Sequence, residues 1–389
     1  MYNISRQKYV IKIYLLGGGV VQDRVPVADI IVDTASKKMK AFAQKMKDKD
    51  LDKIFLSLAW VLMDMGKFHF ADDIPDAPSL VVGVDGAFAT YKMFGGIIGA
   101  YVTVGAFIRN GVLYTEALDV GADVFLGDRG ERTFKILEYI AELRSISVAV
   151  EKIRSYISDS NDAVIFVDGS LSSSMGHLAM QTDVAPDVLI NMVDAVSQVV
   201  YLPADVIFVP KRMVKDIAFA DKQLTDRFAY TDMLNDIGIN EAFAIGSAIF
   251  HKRKELYMKN KGDKRVGTPV IVGPFPLHVH LAYGDKKVGY TMNTYYINLV
   301  QWRHAVLRID VAPDKDIGWV VTHVLPALDL LPRVAAIMAA DEYAKKTISS
   351  AMNQLVEGIF TSDDMRDVMK LFPDYRGEGS AMHSIFYGE

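Results

Sequence analysis

The chain has 389 residues, 51% hydrophobic and 23% charged, with a net charge of -5 and no cysteine. Such a composition folds around a sizeable core and excludes intrinsic disorder, disulfides, thiolate metal sites and cysteine nucleophiles. The mild net charge does not advertise nucleic-acid binding, although a local basic channel is enough for it. A membrane span needs ~20 predominantly apolar residues. Residues 266–284 fail as one through Pro269, Pro274, Pro276, His278 and His280, and residues 93–108 through Gly95, Gly96, Gly99 and Gly105. Lys12 interrupts the apolar stretch that a signal peptide requires, so the expected location is cytoplasmic and no membrane partner is expected.

In chain order, Thr34 to Met65 reads as one or two amphipathic helices, closed by the proline-bearing segment Asp72 to Pro78. Strand-like runs follow at Leu80 to Val84, Ile97 to Ile108 and Val112 to Val120, with Asn110-Gly111 as a hairpin turn between the last two. A long helix is expected over Glu131 to Ile157, a buried strand over Ala163 to Val167, a helix over Pro186 to Val200 and a strand over Val206 to Val209. A mixed section runs to Pro313, and a late helix spans Leu325 to Val356. A three-stranded meander, then helix, strand, helix, strand and late helix, is the order of an α/β ribonuclease H-like fold: a mixed sheet flanked by helices, here with additional N-terminal helices.

Two of the strands end on an acid and a glycine, Val84-Asp85-Gly86 and Val167-Asp168-Gly169-Ser170. One such end is most simply a strand and its turn. Two, on strands that this topology places side by side, bring Asp85 and Asp168 to one sheet edge. On the helix between them, ~100° per residue groups Glu131, Glu138 and Glu142 beside Ser145 and Lys152, as on an ordinary solvated face. Glu151 falls instead with Leu137, Ile140 and Val148, where a carboxylate is costly unless paired or metal-bound. Arg144 offers the pairing alternative. Asp341 lies similarly in the arc of Val334, Ile337, Ile348 and Met352, with Lys345 as its alternative partner. Asp85, Glu151, Asp168 and Asp341 thus form a candidate oxygen-ligand site for Mn²⁺ or Mg²⁺. Two ions there suit an in-line phosphoryl displacement. Asp85 is expected to bridge them, with Glu151 and Asp168 on either side and Asp341 completing the attacking-water side.

With these residues in place, the chain resembles the NurA nuclease family over roughly residues 80–358. The resemblance rests on Val84-Asp85-Gly86, on Glu151 seventeen residues before Asp168, on Phe166-Val167-Asp168-Gly169-Ser170-Leu171, and on Pro210-Lys211-Arg212. It implies a nuclease domain over 79–358, between an N-terminal helical segment (1–78) and a C-terminal tail (359–389). It further implies manganese-dependent 5′–3′ exonuclease and single-strand endonuclease activity on DNA, a homodimer, and partnership with the hexameric HerA translocase in DNA-end resection and repair. Two departures stand out. Ala87 replaces the usual serine, and Ala340-Asp341 replaces an Ala-His pair.

Lys211, Arg212 and Lys215 follow a strand next to the site and are the expected DNA contacts. The basic stretch from His251 to Arg265 reads either as a phosphate grip or as a solvated loop. His278 and His280 alternate on a strand and so share one face. Gly17-Gly18-Gly19 lacks the Lys and Ser/Thr of a phosphate loop. Two rival readings remain open. One is an actin-like ATPase or sugar kinase, using Asp168-Gly169-Ser170 against phosphates. The other is a catalytically inactive, translocase-regulating subunit.

Overall fold

Strand pairing decides where the acids lie. The structure is a computed structural model that describes residues 32–38, 40, 50–93, 96–126, 130–156, 163–178, 184–202, 205–210, 216–299, 303–328 and 334–361. Two units divide the chain, Met1–Leu51 and Asp52–Glu389. Residues 32–38 of the first are helical. The expected Gly17-Gly18-Gly19 turn and most of the 359–389 tail fall outside the described residues.

From residue 51 the chain runs through α1 (Leu51–Asp64), β1 (Phe68–Phe70), β2 (Leu80–Met93), β3 (Gly96–Arg109), β4 (Val112–Leu126), α2 (Gly130–Tyr156), β5 (Ala163–Asp168) and α3 (Pro186–Val200). It continues through β6 (Val206–Val209), α4 (Glu241–Lys259), β7 (Val270–Tyr283), β8 (Lys286–Asn298), β9 (Leu307–Val311) and α5 (Ala335–Thr361). The nine strands among the described residues join one mixed sheet in the order β1-β7-β8-β9-β6-β5-β2-β3-β4. Within it β2, β5 and β6 are parallel neighbours, while β2-β3-β4 is an antiparallel meander. That half is the expected ribonuclease H-like arrangement. The β7–β9 strands, hidden in what sequence reads as a mixed section, extend it on the far side.

Two boundaries differ from expectation. The first strand does not end at Val84 but continues to Met93, because β3 pairs with it from Leu80↔Arg109 to Met93↔Gly96. Asp85-Gly86 is therefore mid-strand. The late helix begins at Ala335, not Leu325. Val320–Val324 forms a π-turn and Leu325–Ala327 a 3-10 turn with Pro326 in its first turn. Pro326 and Pro332 both lack the backbone donor a continuous helix needs. At the β3–β4 hairpin, Asn110 and Gly111 take φ of 51° and 75°, as the Asn-Gly pair requires.

Helices cover the meander on both faces. On one, Ala87, Val102, Val104 and Ala106 pack with Ala340, Ala344 and Ile348 of α5. The approach is so close that a Cβ at Gly83 would lie 2.2 Å from the Ala336 backbone carbon. On the other face, Thr103 Oγ1 and Ser145 Oγ of α2 hydrogen-bond at 2.5 Å. Since neighbours along a strand alternate faces, Gly83, Asp85 and Ala87 share the α5 side and Gly86 faces α2. The edge strand β4 leaves Val112, Leu113, Tyr114, Val120 and Val124 exposed. No helix among the described residues is long and apolar enough to cross a membrane.

Candidate active site

The site forms where β5 leaves β2. Their pairing ends at Val84↔Val167, one residue before Asp85 and Asp168. Beyond that point the Gly86 N–H donates to side chains, at 2.9 Å to Asp85 Oδ1 and 2.9 Å to Glu142 Oε1. Two carboxylates, one from the strand and one from α2, thus converge on a single amide. A side chain at position 86 would prevent this, for its Cβ would lie 2.9 Å from Glu142 Oε1 and 3.1 Å from Glu138 Cγ.

Asp85 is 2% exposed and Glu142 is also buried, whereas Glu138 and Asp168 are half-buried. Burial holds the Glu142 carboxyl well above the usual carboxylate range. Glu138, Asp85 and Asp168 push it further up, against the Gly86 N–H bond that lowers it. Four carboxylates from three elements therefore share one electrostatic site. Asp168 is placed by its pairing with Val209 and by Gly169, whose φ of 103° turns the chain and whose N–H donates to Val209 O at 3.0 Å.

The structure brings Asp85 and Asp168 together, as expected from sequence, and corrects the reading of the helix faces. Glu138 and Glu142 are not on a solvated face: Glu142 and Ser145 are buried against the sheet. Glu151 is the exposed one, nine residues or ~13 Å of helix rise beyond Glu142. The mistake has a physical origin. The described part of α2 is buried on several sides, between the sheet and α3, so its arcs do not divide into a wet and a dry face. The available signal was Glu138, Glu142 and Ser145 in line at i, i+4 and i+7. Asp341 lies on α5 one residue past Ala340, 26% exposed, with Oδ2 accepting from Lys345 Nζ at 2.7 Å. Lys211, Arg212 and Lys215 lie outside the described residues.

The basic stretch is divided: His251 to Lys259 belongs to α4, where Lys252 and Arg253 turn inward at 3% and 1% exposure, while Lys261, Lys264 and Arg265 lie exposed beyond the helix end. Lys252 pairs with Glu255 at 2.9 Å and lies 3.3 Å from the Trp60 ring centroid. Arg253 donates to Asn298 and to Thr268 O. His278 and His280 do share the exposed face of β7, with His278 Nδ1 2.9 Å from Thr291 Oγ1.

Behind the Asp168 turn, the buried His177 ring lies 4.9 Å from that of Tyr139. Burial, and then Lys135, lower its pKa to about 4. The unfolded value is ~6.5. Its contribution to stability is therefore complete above pH ~6.5 and is lost as pH falls toward 4. We expect wild type to lose up to about 3 kcal/mol over that window relative to His177→Gln, read as Tm against pH. Parallel curves would refute this.

The described residues contain no group of three or more His, Asp or Glu side chains already arranged to hold an ion. The donor chemistry nevertheless fits a hard divalent cation. Carboxylate oxygens are its preferred ligands, and the like charges around buried Glu142 are what a cation would compensate.

No protein-family model and no curated protein matches the chain. Among solved structures, the NurA nuclease from Sulfolobus solfataricus aligns with 85% of this chain and 97% of its own, at 13% identity and a TM-score of 0.51. The chain has the fold of a NurA nuclease. A second NurA crystal structure covers 87% of this chain and 98% of its own, at 8% identity and a TM-score of 0.47. A NurA bound to dAMP and manganese covers 89% and 100%, at 9% identity and a TM-score of 0.41.

Proposed function

We propose that the chain is a metal-dependent nuclease that hydrolyses phosphodiester bonds in DNA at the carboxylates around Gly86. The observation that carries this reading is buried Glu142, which shares its site with Glu138, Asp85 and Asp168. In a fold of the NurA nuclease, such a concentration of acid is a functional arrangement rather than a packing solution, since buried charge is costly. Asp85, Glu142 and Asp168 would hold Mn²⁺ or Mg²⁺, in one or two ions, and Glu138 would adjoin them. Ions held there would supply an activated water and charge neutralisation for the leaving 3′ oxygen. The chain's own residues set the geometry. The pairing of β2 with β3 fixes Asp85, Gly86 N–H orients Glu142, and the Gly169 turn aims Asp168. We place Asp341 at the rim of this site and Lys211, Arg212 and Lys215 along the DNA path. The proposal extends to 5′–3′ exonuclease and single-strand endonuclease activity in DNA-end resection, as a cytoplasmic homodimer working with a HerA-type hexameric translocase.

An actin-like ATPase would present the hydroxyl of the Asp-Gly-Ser turn to a phosphate. Here Ser170 is 3% exposed and its Oγ donates to Asp310 Oδ2 at 2.7 Å, which disfavours that reading. The test is degradation of linear DNA in Mn²⁺ and in EDTA. Wild type should digest DNA only with metal, Asp85→Ala and Asp168→Ala should not digest it, and Glu151→Gln should behave as wild type. Aspartate variants that digest DNA normally would remove the site. An inactive wild type that still binds a translocase would favour the regulatory subunit.

A further inference from the structure

Asp310 lies on β9, opposite Phe208 of β6 and Thr294 of β8, and is fully buried. Its Oδ1 accepts from Arg308 Nε at 3.0 Å and Thr294 Oγ1 at 2.7 Å. Its Oδ2 accepts from Arg308 Nη2 at 2.9 Å and Ser170 Oγ at 2.7 Å. Arg308, 2% exposed, would be lowered by burial, but Asp310, Tyr296 and Glu241 hold its pKa above the ordinary value. A buried ion pair is often no better for stability than apolar packing of the same volume. Here the pair has an output. Three of the four bonds orient the carboxylate from within the β8–β9 ribbon, and the fourth reaches across β6 to Ser170.

Ser170 is two residues past Asp168. Between them Gly169, at φ 103°, has none of the steric restriction of a side chain. The Ser170 hydroxyl also lies 2.9 Å from Ser172 Oγ and accepts from Ser172 N at 3.2 Å, and its carbonyl accepts from Ser173 N at 2.9 Å. The turn is thus folded around the serine, and the serine is tied to Asp310. We infer that Asp310, through Ser170, is a positioning residue for Asp168: the Arg308–Asp310 pair serves as a fixed anchor for the catalytic turn. The inference rests on the proposed nuclease site. Positioning errors near 1 Å cost about 10²-fold in rate, so the tether acts on the chemical step more than on DNA binding.

The experiment compares wild type, Ser170→Ala, Ser170→Thr and Asp310→Asn by DNA hydrolysis, Tm and titration with Mn²⁺ alone. Ser170→Ala should lower kcat about tenfold or more with little change in KM, should lower Tm less than Asp310→Asn does, and should weaken Mn²⁺ binding about tenfold. Ser170→Thr, which keeps the hydroxyl, should recover most of both losses. Asp310→Asn should act in the same direction but also lower Tm, because it unpairs Arg308. If Ser170→Ala matches wild type in kcat and Mn²⁺ binding, the positioning role is overturned. If wild type binds Mn²⁺ but cleaves no DNA, the nuclease reading fails, and the Mn²⁺ titration alone still decides whether Ser170 and Asp310 position the site.

Discussion

Glu142→Gln should abolish DNA cleavage and at the same time raise the melting temperature of the metal-free protein. Glutamine keeps the size of the side chain and an oxygen to accept from Gly86 N–H, but it removes a charge that burial, Glu138, Asp85 and Asp168 all disfavour. Loss of a metal-holding carboxylate should cost on the order of 100-fold or more in kcat, beyond the 10–100-fold typical of residues one shell further out. The stability gain has a definite pH sign. The native carboxyl has a pKa above the unfolded value of ~4.3. The penalty is absent well below pH ~4.3 and grows as pH rises, when the unfolded chain ionises and the native site resists. At pH 7 in EDTA we expect a higher Tm than wild type, and that gain disappears near pH 4. Equal Tm at both pH values, or a variant that still cuts DNA, would remove Glu142 from the site.

Gly83→Ala should damage the protein more than any exposed substitution, although it adds a single methyl. The new Cβ would meet Ala336 C at 2.2 Å, Ile337 N at 2.4 Å and Ala336 O at 2.5 Å, all backbone atoms of α5. Overpacking usually costs 1–3 kcal/mol because side chains can yield. Here the helix itself must lift, so about 3 kcal/mol or more is expected. Lifting α5 also separates Ala340 and Ala344 from Ala87, beside Asp85. The check is the urea midpoint and the rate of proteolysis within Ala335–Thr361. A midpoint and digestion pattern like those of wild type would show that the close approach is not required.

Much of this was legible in the residues, for identifiable reasons. β5, α3 and β6 are short and bounded by clear signals, and Pro186 marks the start of α3. Reading both aspartates at the ends of neighbouring strands brought Asp85 and Asp168 side by side, because the parallel neighbours β2 and β5 keep their register up to Val84↔Val167. The extent of β2 was harder, since Asp85-Gly86 looks like a turn in isolation. Its length follows from β3, whose uninterrupted run from Ile97 needs a partner as long as itself. The helix acids were misassigned because a wheel assumes that polar means wet. In α2 the polar line of Glu138, Glu142 and Ser145 meets the sheet at Gly86 and Thr103, the place where the sheet is itself polar. The Arg308–Asp310 anchor was missed although Leu307-Arg308-Ile309-Asp310-Val311 alternates as a strand does, because nothing local links it to Ser170, 140 residues away in sequence.

The exposed strand β4 has a consequence for how copies of this protein tolerate one another. Among the described residues the sheet stops there, on a fifteen-residue strand with Val112, Leu113, Tyr114, Val120 and Val124 open to solvent. A long apolar edge is a template for further strands. Its second half carries a safeguard. If two edges met antiparallel about Gly121, Asp119 of each would face Asp123 of the other, and like charges directly opposite are destabilising. The stretch Val112–Tyr114 has no such acid, so crowding selects against one half of the edge and leaves the other half receptive.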